Sequence, residues 1–200
     1  MKKVHTGIFR DGGAGAFAKR RYRGRRKELM RKEGRIMAIT GVPYGPGGKT
    51  TWAYAYCPTY QEPAIMYLTG INQSNVILLL DPDSKISDEI LFVDSRDRFM
   101  EFWEGVRFGV GDDQSLKEVR SVTGIQDVRD IREFKDVLKE RLFKQKKKAL
   151  GTLWLEGTRQ GKPCAIKTDH NYDFKKKLEG WLRSWKAPAL KNIMKNHFEL

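Results

Sequence analysis

The sequence predicts an α/β domain with a largely buried sheet and helices on its faces. Short apolar runs with strand character alternate with stretches of helical periodicity. One of these runs, Asn75–Leu80, is almost wholly apolar, as expected of a central strand covered on both sides. The 200 residues are 40% hydrophobic and 32% charged, which suits a folded domain with one core of ordinary size.

The elements follow in order. Residues 1–18 hold Gly7, Gly12, Gly13 and Gly15 with few large apolar groups, and read as a loose arm. Residues 19–33 are helical in composition, with Leu29 and Met30 as apolar surface and Gly34 as the stop. Ile36–Thr40 is a strand, uncharged and rich in β-branched residues. Gly41–Thr51 is a Gly/Pro loop, Ala64–Leu68 is apolar and ends at Thr69-Gly70, and Asp81-Pro82-Asp83 is a turn. Glu89–Val93 is a strand. A short helix is expected over Arg98–Glu104, with Phe99, Phe102 and Trp103 at spacings of three and four. Ser115–Val122 is a helix and Val128 marks a short strand. Ile131–Phe143 is a stronger helix, because Ile131, Phe134, Val137, Leu138 and Leu142 share a face. Leu150–Leu155 is a strand, and Asp173–Trp185 is a helix carrying Phe174, Leu178, Trp181 and Leu182. Pro188 is expected to open a last helical turn through Leu190, Ile193 and Met194.

Charge is unevenly spread. The net is +14, built from a basic beginning, an acidic middle and a basic end. The clusters Lys19–Lys32, Lys144–Lys148 and Lys175–Lys177 read as solvated basic surface with weak, nonspecific attraction for polyanions. No base-reading module and no tandem aromatic platform is evident beside them. The longest strongly apolar run, Val76–Leu80, is far too short to cross a membrane, and no early apolar core marks a signal peptide. The two cysteines, Cys57 and Cys164, provide neither a disulfide framework nor zinc spacing, so a reducing, cytoplasmic location is expected.

Local motifs for catalysis are weak. Pro43–Thr50 follows a strand and contains Gly48-Lys49-Thr50, but Pro43 stands where a phosphate-binding loop needs its first glycine. Pro46 also removes an amide from the cradle, so the segment reads as a surface loop. The histidines are His5, His170 and His197. Asp169, His170 and Asp173 read as an ordinary helix N-terminus and not as a metal site. Neither cysteine has a histidine neighbour to activate it. Trp52, Tyr54, Tyr56 and Tyr60 are denser than a solvent loop requires; they either mark a contact surface or fold back over the sheet.

Two stretches carry a family resemblance. The first runs from Tyr56 to Gly70, with Tyr67-Leu68-Thr69-Gly70 at its end, then Asn72 and the apolar strand. The second runs Leu91-Phe92-Val93-Asp94-Ser95-Arg96-Asp97, then Trp103-Glu104-Gly105-Val106-Arg107-Phe108-Gly109. Together they resemble the N-terminal domain of Xaa-Pro aminopeptidases and their creatinase/prolidase relatives, in order and spacing from about Arg20 to Val110. The chain departs from that pattern at Tyr60, where the family commonly has arginine, and at Glu62 and Pro63.

The resemblance implies a ribonuclease H-like mixed sheet with helices on both faces. It also implies a division of labour. Residues 1–18 would be an arm, and residues 19–200 the noncatalytic domain, leading to the linker of a catalytic pita-bread domain that this chain lacks. That other domain would use two aspartates, one histidine and two glutamates to hold a pair of divalent metals, usually manganese. No hydrolysis, metal or cofactor is then expected of this chain alone. Its implied partners are the catalytic domain and further copies of itself, with no membrane. Trp52, Tyr54, Tyr56, Tyr60, Gln61 and Arg107 are the candidates for interface or substrate-gating contacts. The alternative is a free-standing binding domain of the same fold with a basic, polyanion-binding surface.

Overall fold

The computed structural model describes residues 15–42, 62–97, 99, 101–102, 107–144, 149–154, 156–159, 162–165, 170–187 and 189–193. Helix α1 spans Gly15–Glu33, beginning earlier than the composition suggested, and stops at Gly34, whose φ of +57° belongs to the left-handed region. Strand β1 is Ile36–Thr40, as expected. Helix α2 is Pro63–Thr69. Here the departure from the family pattern has a local reason. Glu62 is the N-cap, its carboxylate accepting from the Ala64 amide, and Pro63 occupies the first turn, where its missing N–H is harmless.

Strands β2 (Ile77–Leu80) and β3 (Glu89–Val93) are buried along their whole length. Helix α3 is Asp113–Thr123, capped by Asp112, and β4 is Asp127–Asp130. The segment expected as one helix from Ile131 opens as a 3-10 turn, Ile131–Glu133, and becomes helix α4 at Phe134–Lys144. Strand β5 is Ala149–Thr152. A hairpin of β6 (Glu156–Arg159) and β7 (Lys162–Ala165) follows, then helix α5 (His170–Ser184).

The terminal segment corrects the sequence reading. Residues Ala189–Asn192 form strand β8, not a helical turn. They pair in parallel with β5, Ala189 opposite Ala149 and Asn192 opposite Thr152. The run is too short to hold a helix by itself, and the open edge of β5 offers its backbone a ladder.

The main sheet has the order β4-β3-β2-β1-β5-β8. The pairs β1–β2 and β2–β3 are antiparallel; β3–β4, β1–β5 and β5–β8 are parallel. It is thus a mixed sheet, with helices on both faces. Alternate residues of the central strands serve opposite faces. Met37, Ile39, Leu78, Leu80, Leu91 and Val93 pack under Leu29 and Met30 of α1, Ile65 and Leu68 of α2, and Val119 of α3. Ile36, Ala38, Ile77, Leu79, Ile90 and Phe92 pack under Phe134, Leu138 and Leu142 of α4 and Leu178 and Leu182 of α5. Burial on both faces explains why these strands read as continuous apolar runs.

Candidate functional site

The second motif of the sequence folds into a polar node where the chain leaves β3. An apolar strand that ends in Asp94-Ser95-Arg96-Asp97 passes abruptly from core to water, so these side chains meet whatever lies at that end of the sheet. Arg96 donates from both guanidinium edges: Nε to Glu101 Oε1 at 2.7 Å, Nη2 to Glu101 Oε2, and Nη1 to Asp112 Oδ2. The forked pair with Glu101 and the second bond to Asp112 raise the Arg96 pKa further above its usual value. Asp112 is the N-cap of α3 as well. Burial opposes its ionisation, but Arg96 and the amides of Gln114 and Ser115 hold its carboxyl below the ordinary range.

The 107–110 segment is sewn onto this node. The Val110 amide donates to Asp94 O, and the Arg96 amide donates to Val110 O, both at 3.1 Å. The Gly109 amide donates to Ser115 Oγ at 2.9 Å. The Gln73 side chain clamps Phe108 in both directions: its amide donates to the Phe108 carbonyl at 2.9 Å and its oxygen accepts from the Phe108 amide at 3.0 Å. Asn75, at φ +56°, donates to Asp94 Oδ2 at 3.1 Å. Gly109 is required by closeness. A Cβ there would stand 2.8 Å from the Asp94 carbonyl oxygen and 2.9 Å from the Arg96 nitrogen, inside van der Waals contact.

Beside the node, at the end of β4, the Ser95 hydroxyl and Asp130 carboxylate are bonded. Arg132 donates to both, at 2.8 Å to Ser95 Oγ and 2.7 Å to Asp130 Oδ2. The bond from Arg132 drives the Asp130 carboxyl far below the usual carboxylate range; burial opposes this, and Ser95 adds to it. On the other side of Arg96 the chain exposes two large rings, Phe99 at 72% and Phe102 at 80%. They are three residues apart, both helical, on the segment expected as a helix, and they do not cover the core.

Of the candidates named from sequence, Arg107 stands half-buried next to this clamp. Trp52, Tyr54, Tyr56, Tyr60 and Gln61 lie outside the described residues, as do the Pro43–Thr50 loop and Asp169. Sequence reasoning quoted Asp94–Asp97 without assigning it a role, and it missed Gln73, Asn75 and Ser115. A run of four polar residues directly after the apolar stretch Ile90–Val93 was the available signal for the first. The clamping amides sit far from their partners in sequence and left none. Among the described residues, no three His, Cys, Asp or Glu side chains converge as a metal-ligand set. The described residues therefore do not fit the pair of divalent metals that the family resemblance implies.

The comparisons agree with this architecture. The family described as Aminopeptidase P, N-terminal domain, matches residues 22–150, and the chain belongs to that family. Intermediate cleaving peptidase 55 of Saccharomyces cerevisiae is 34% identical over 96 residues, covering 46% of this chain and 18% of that protein. The Xaa-Pro aminopeptidase of Haemophilus influenzae is 40% identical over 53 residues, covering 26% of this chain and 12% of that protein. Among solved structures, Pseudomonas aeruginosa aminopeptidase PepP shares the fold with a TM-score of 0.65 at 20% identity, over 90% of this chain and 37% of that one. A substrate complex of Escherichia coli aminopeptidase P does so with a TM-score of 0.59 at 18% identity, over 87% and 36%. The chain thus spans little more than a third of these solved relatives. No described helix is long and apolar enough to cross a membrane.

Proposed function

We propose that this chain is the noncatalytic N-terminal domain of an Xaa-Pro aminopeptidase, which assembles subunits and limits the peptides reaching a dinuclear-metal catalytic domain elsewhere in the polypeptide. The observation that carries the reading is the family match over residues 22–150 in a chain whose described residues converge on no metal-ligand set. The metals, manganese by resemblance, then belong to the other domain. Exposed Phe99 and Phe102 beside the Arg96 node support an assembly surface, because adjacent exposed rings favour a protein contact over water. Trp52, Tyr54, Tyr56, Tyr60, Gln61 and Arg107 remain the proposed gating contacts, and the cytoplasm the proposed location.

The test uses the full polypeptide that carries this domain. Replacing Phe99 and Phe102 together by Ser should lower the assembly state seen by light scattering and change kcat/KM for Xaa-Pro peptides. Unchanged assembly and unchanged kinetics would overturn the assembly role. The isolated chain with added manganese should hydrolyse no Xaa-Pro peptide, and turnover that survives purification would overturn the noncatalytic assignment. Trp52→Ala should alter peptide kinetics of the full protein while changing the stability of this domain by no more than about 0.5 kcal/mol.

One observation favours the alternative, a polyanion-binding domain. Helix α1 exposes Arg20, Arg23 and Lys27 along its outer side. Such a surface binds polyanions weakly, without sequence preference, and releases them as salt rises.

A further inference from the structure

The sequence showed no tandem aromatic platform, but the fold builds one. Helices α4 and α5 lie side by side over the same face of the sheet. Trp181 near the end of α5 and Trp185, in the turn just past it, stack with ring centroids 5.9 Å apart and planes 24° from parallel. Both indoles rest on the core with part of their surface in solvent. Three exposed lysines surround them. Lys177 and Lys135 place their ammonium groups 5.3 Å and 5.6 Å from the Trp181 centroid, and Lys139 places its own 5.9 Å from Trp185.

These lysines differ from their neighbours. Lys175 and Lys176 are paired with Glu179. Among the described residues, Lys135, Lys139 and Lys177 make no ion pair; their charges rest on the indole faces. Acidic residues accompany them along both helices: Asp136 and Glu140 directly follow Lys135 and Lys139 on α4, and on α5 Asp173 stands one helical turn before Lys177 and Glu179 two positions after it. A lysine held only by a ring is easily exchanged. An incoming planar base can take the indole face while the flexible ammonium swings to the adjoining phosphate.

We infer that the α4–α5 face is a binding surface for single-stranded nucleic acid, with Trp181 and Trp185 stacking bases and Lys135, Lys139 and Lys177 contacting the phosphate backbone. Stacked indoles flanked by unpaired cations match the two requirements of single-strand binding, a π-face for any base and positive charge beside it. A duplex keeps its bases stacked on one another and offers the indoles nothing, so the site prefers single strands. The surface is separate from α1 and from the Phe99–Phe102 rings.

The test is fluorescence anisotropy of the whole chain with labelled oligodeoxythymidylate, oligodeoxyadenylate and a duplex of equal length, over a salt series. Single strands should bind at least tenfold more tightly than the duplex and quench tryptophan emission. Replacing Lys135, Lys139 and Lys177 by Gln should weaken single-strand binding at least tenfold. It should also lower the salt slope by about 2, since each single-strand phosphate contact contributes about 0.7. Trp185→Ala should remove the preference over duplex, whereas Trp185→Phe should keep it. Circular dichroism confirms that each variant is folded, and Phe at position 185 guards against a purely structural loss. Replacing Arg20, Arg23 and Lys27 by Gln should leave the single-strand preference intact. Equal binding of single and double strands, or loss of all binding in the α1 variant with none in the lysine variant, would overturn the inference.

Discussion

Both faces of the sheet carry an apolar core, but the contacts added to it differ. On the α1–α2–α3 face the decisive group is a buried cation. Arg26 is fully buried, and Nη1 donates to the carbonyls of Leu68 at 2.8 Å and Thr123 at 3.1 Å, while Nη2 donates to Glu89 Oε2 at 2.8 Å. One guanidinium thus docks the C-terminal ends of α2 and α3, where a cation complements the helix dipole, and ties both to β3. On the α4–α5 face the contacts are rings: Phe134 meets Phe92 edge-on at 5.3 Å and packs tilted on Phe174 and Trp181. Directional bonds fix the first set of helices by their ends. Undirected apolar contact holds the second set along their length. The first face should therefore be brittle to a single deletion, and the second should tolerate any change that keeps volume.

The largest effect is expected at Arg26. Arg26→Met leaves the Glu89 carboxylate buried without its partner and frees two helix-end carbonyls, for a loss of about 3–5 kcal/mol in denaturant unfolding. Changing Glu89→Leu as well should recover much of that loss, because a buried pair recoups little beyond its own desolvation. If the double variant is no better than the single one, the carbonyl bonds and not the charge are what α1 supplies.

Phe134 probes the other face. Phe134→Ala should cost about 3–5 kcal/mol through the cavity it opens, whereas Phe134→Leu should cost under about 1.5 kcal/mol. An equal loss from both would show that the ring geometry, and not its volume, holds α4 and α5, and the contrast between the faces would vanish.

Gly109→Ala should cost about 1–3 kcal/mol, since the new methyl meets backbone that cannot step aside. A variant as stable as the parent would mean that the 107–110 segment moves freely relative to β3. Differential scanning calorimetry distinguishes the two.

The smallest effect concerns acid. Asp130 has its carboxyl depressed in the folded state by Arg132, against burial, with help from Ser95. A carboxyl depressed on folding contributes stability that is whole above its unfolded value, about 3.9, and is lost as pH falls through the lower folded value. Arg132 is 79% exposed, so solvent screens the pair and its contribution is small. Asp130→Asn should forfeit that small contribution at neutral pH and flatten the fall in stability below about pH 4, so that parent and variant converge in acid. An unaltered acid limb would assign that limb to other carboxylates.

Part of the candidate site was legible beforehand. Arg96 and Arg107–Gly109 lie in the motif that carried the resemblance, and the following helix was placed close to where it forms. The clamps were not. Gln73 meets Phe108 across 35 positions of sequence, and Asn192 holds Trp154 in the same two-way fashion across 38, its amide donating to the carbonyl at 2.9 Å. An isolated Gln or Asn gives no sign of which distant backbone it will satisfy.

The sequence by itself determined the alternation of elements and the positions of β1, β2, β3, α3 and α5, because apolar period and burial are properties of neighbouring residues. It determined the family through the order of two local motifs. Only the tertiary structure decided that Ala189–Asn192 is a strand, that Arg26 lies in the core, and that Trp181 and Trp185 form a lysine-rimmed stack. Each depends on a partner distant in sequence: the open edge of β5, the carboxylate of Glu89 with two helix ends, and the lysines of α4. Local propensity sets what a segment can be. The free energy of satisfying its backbone, charge or ring against a particular neighbour sets what it becomes.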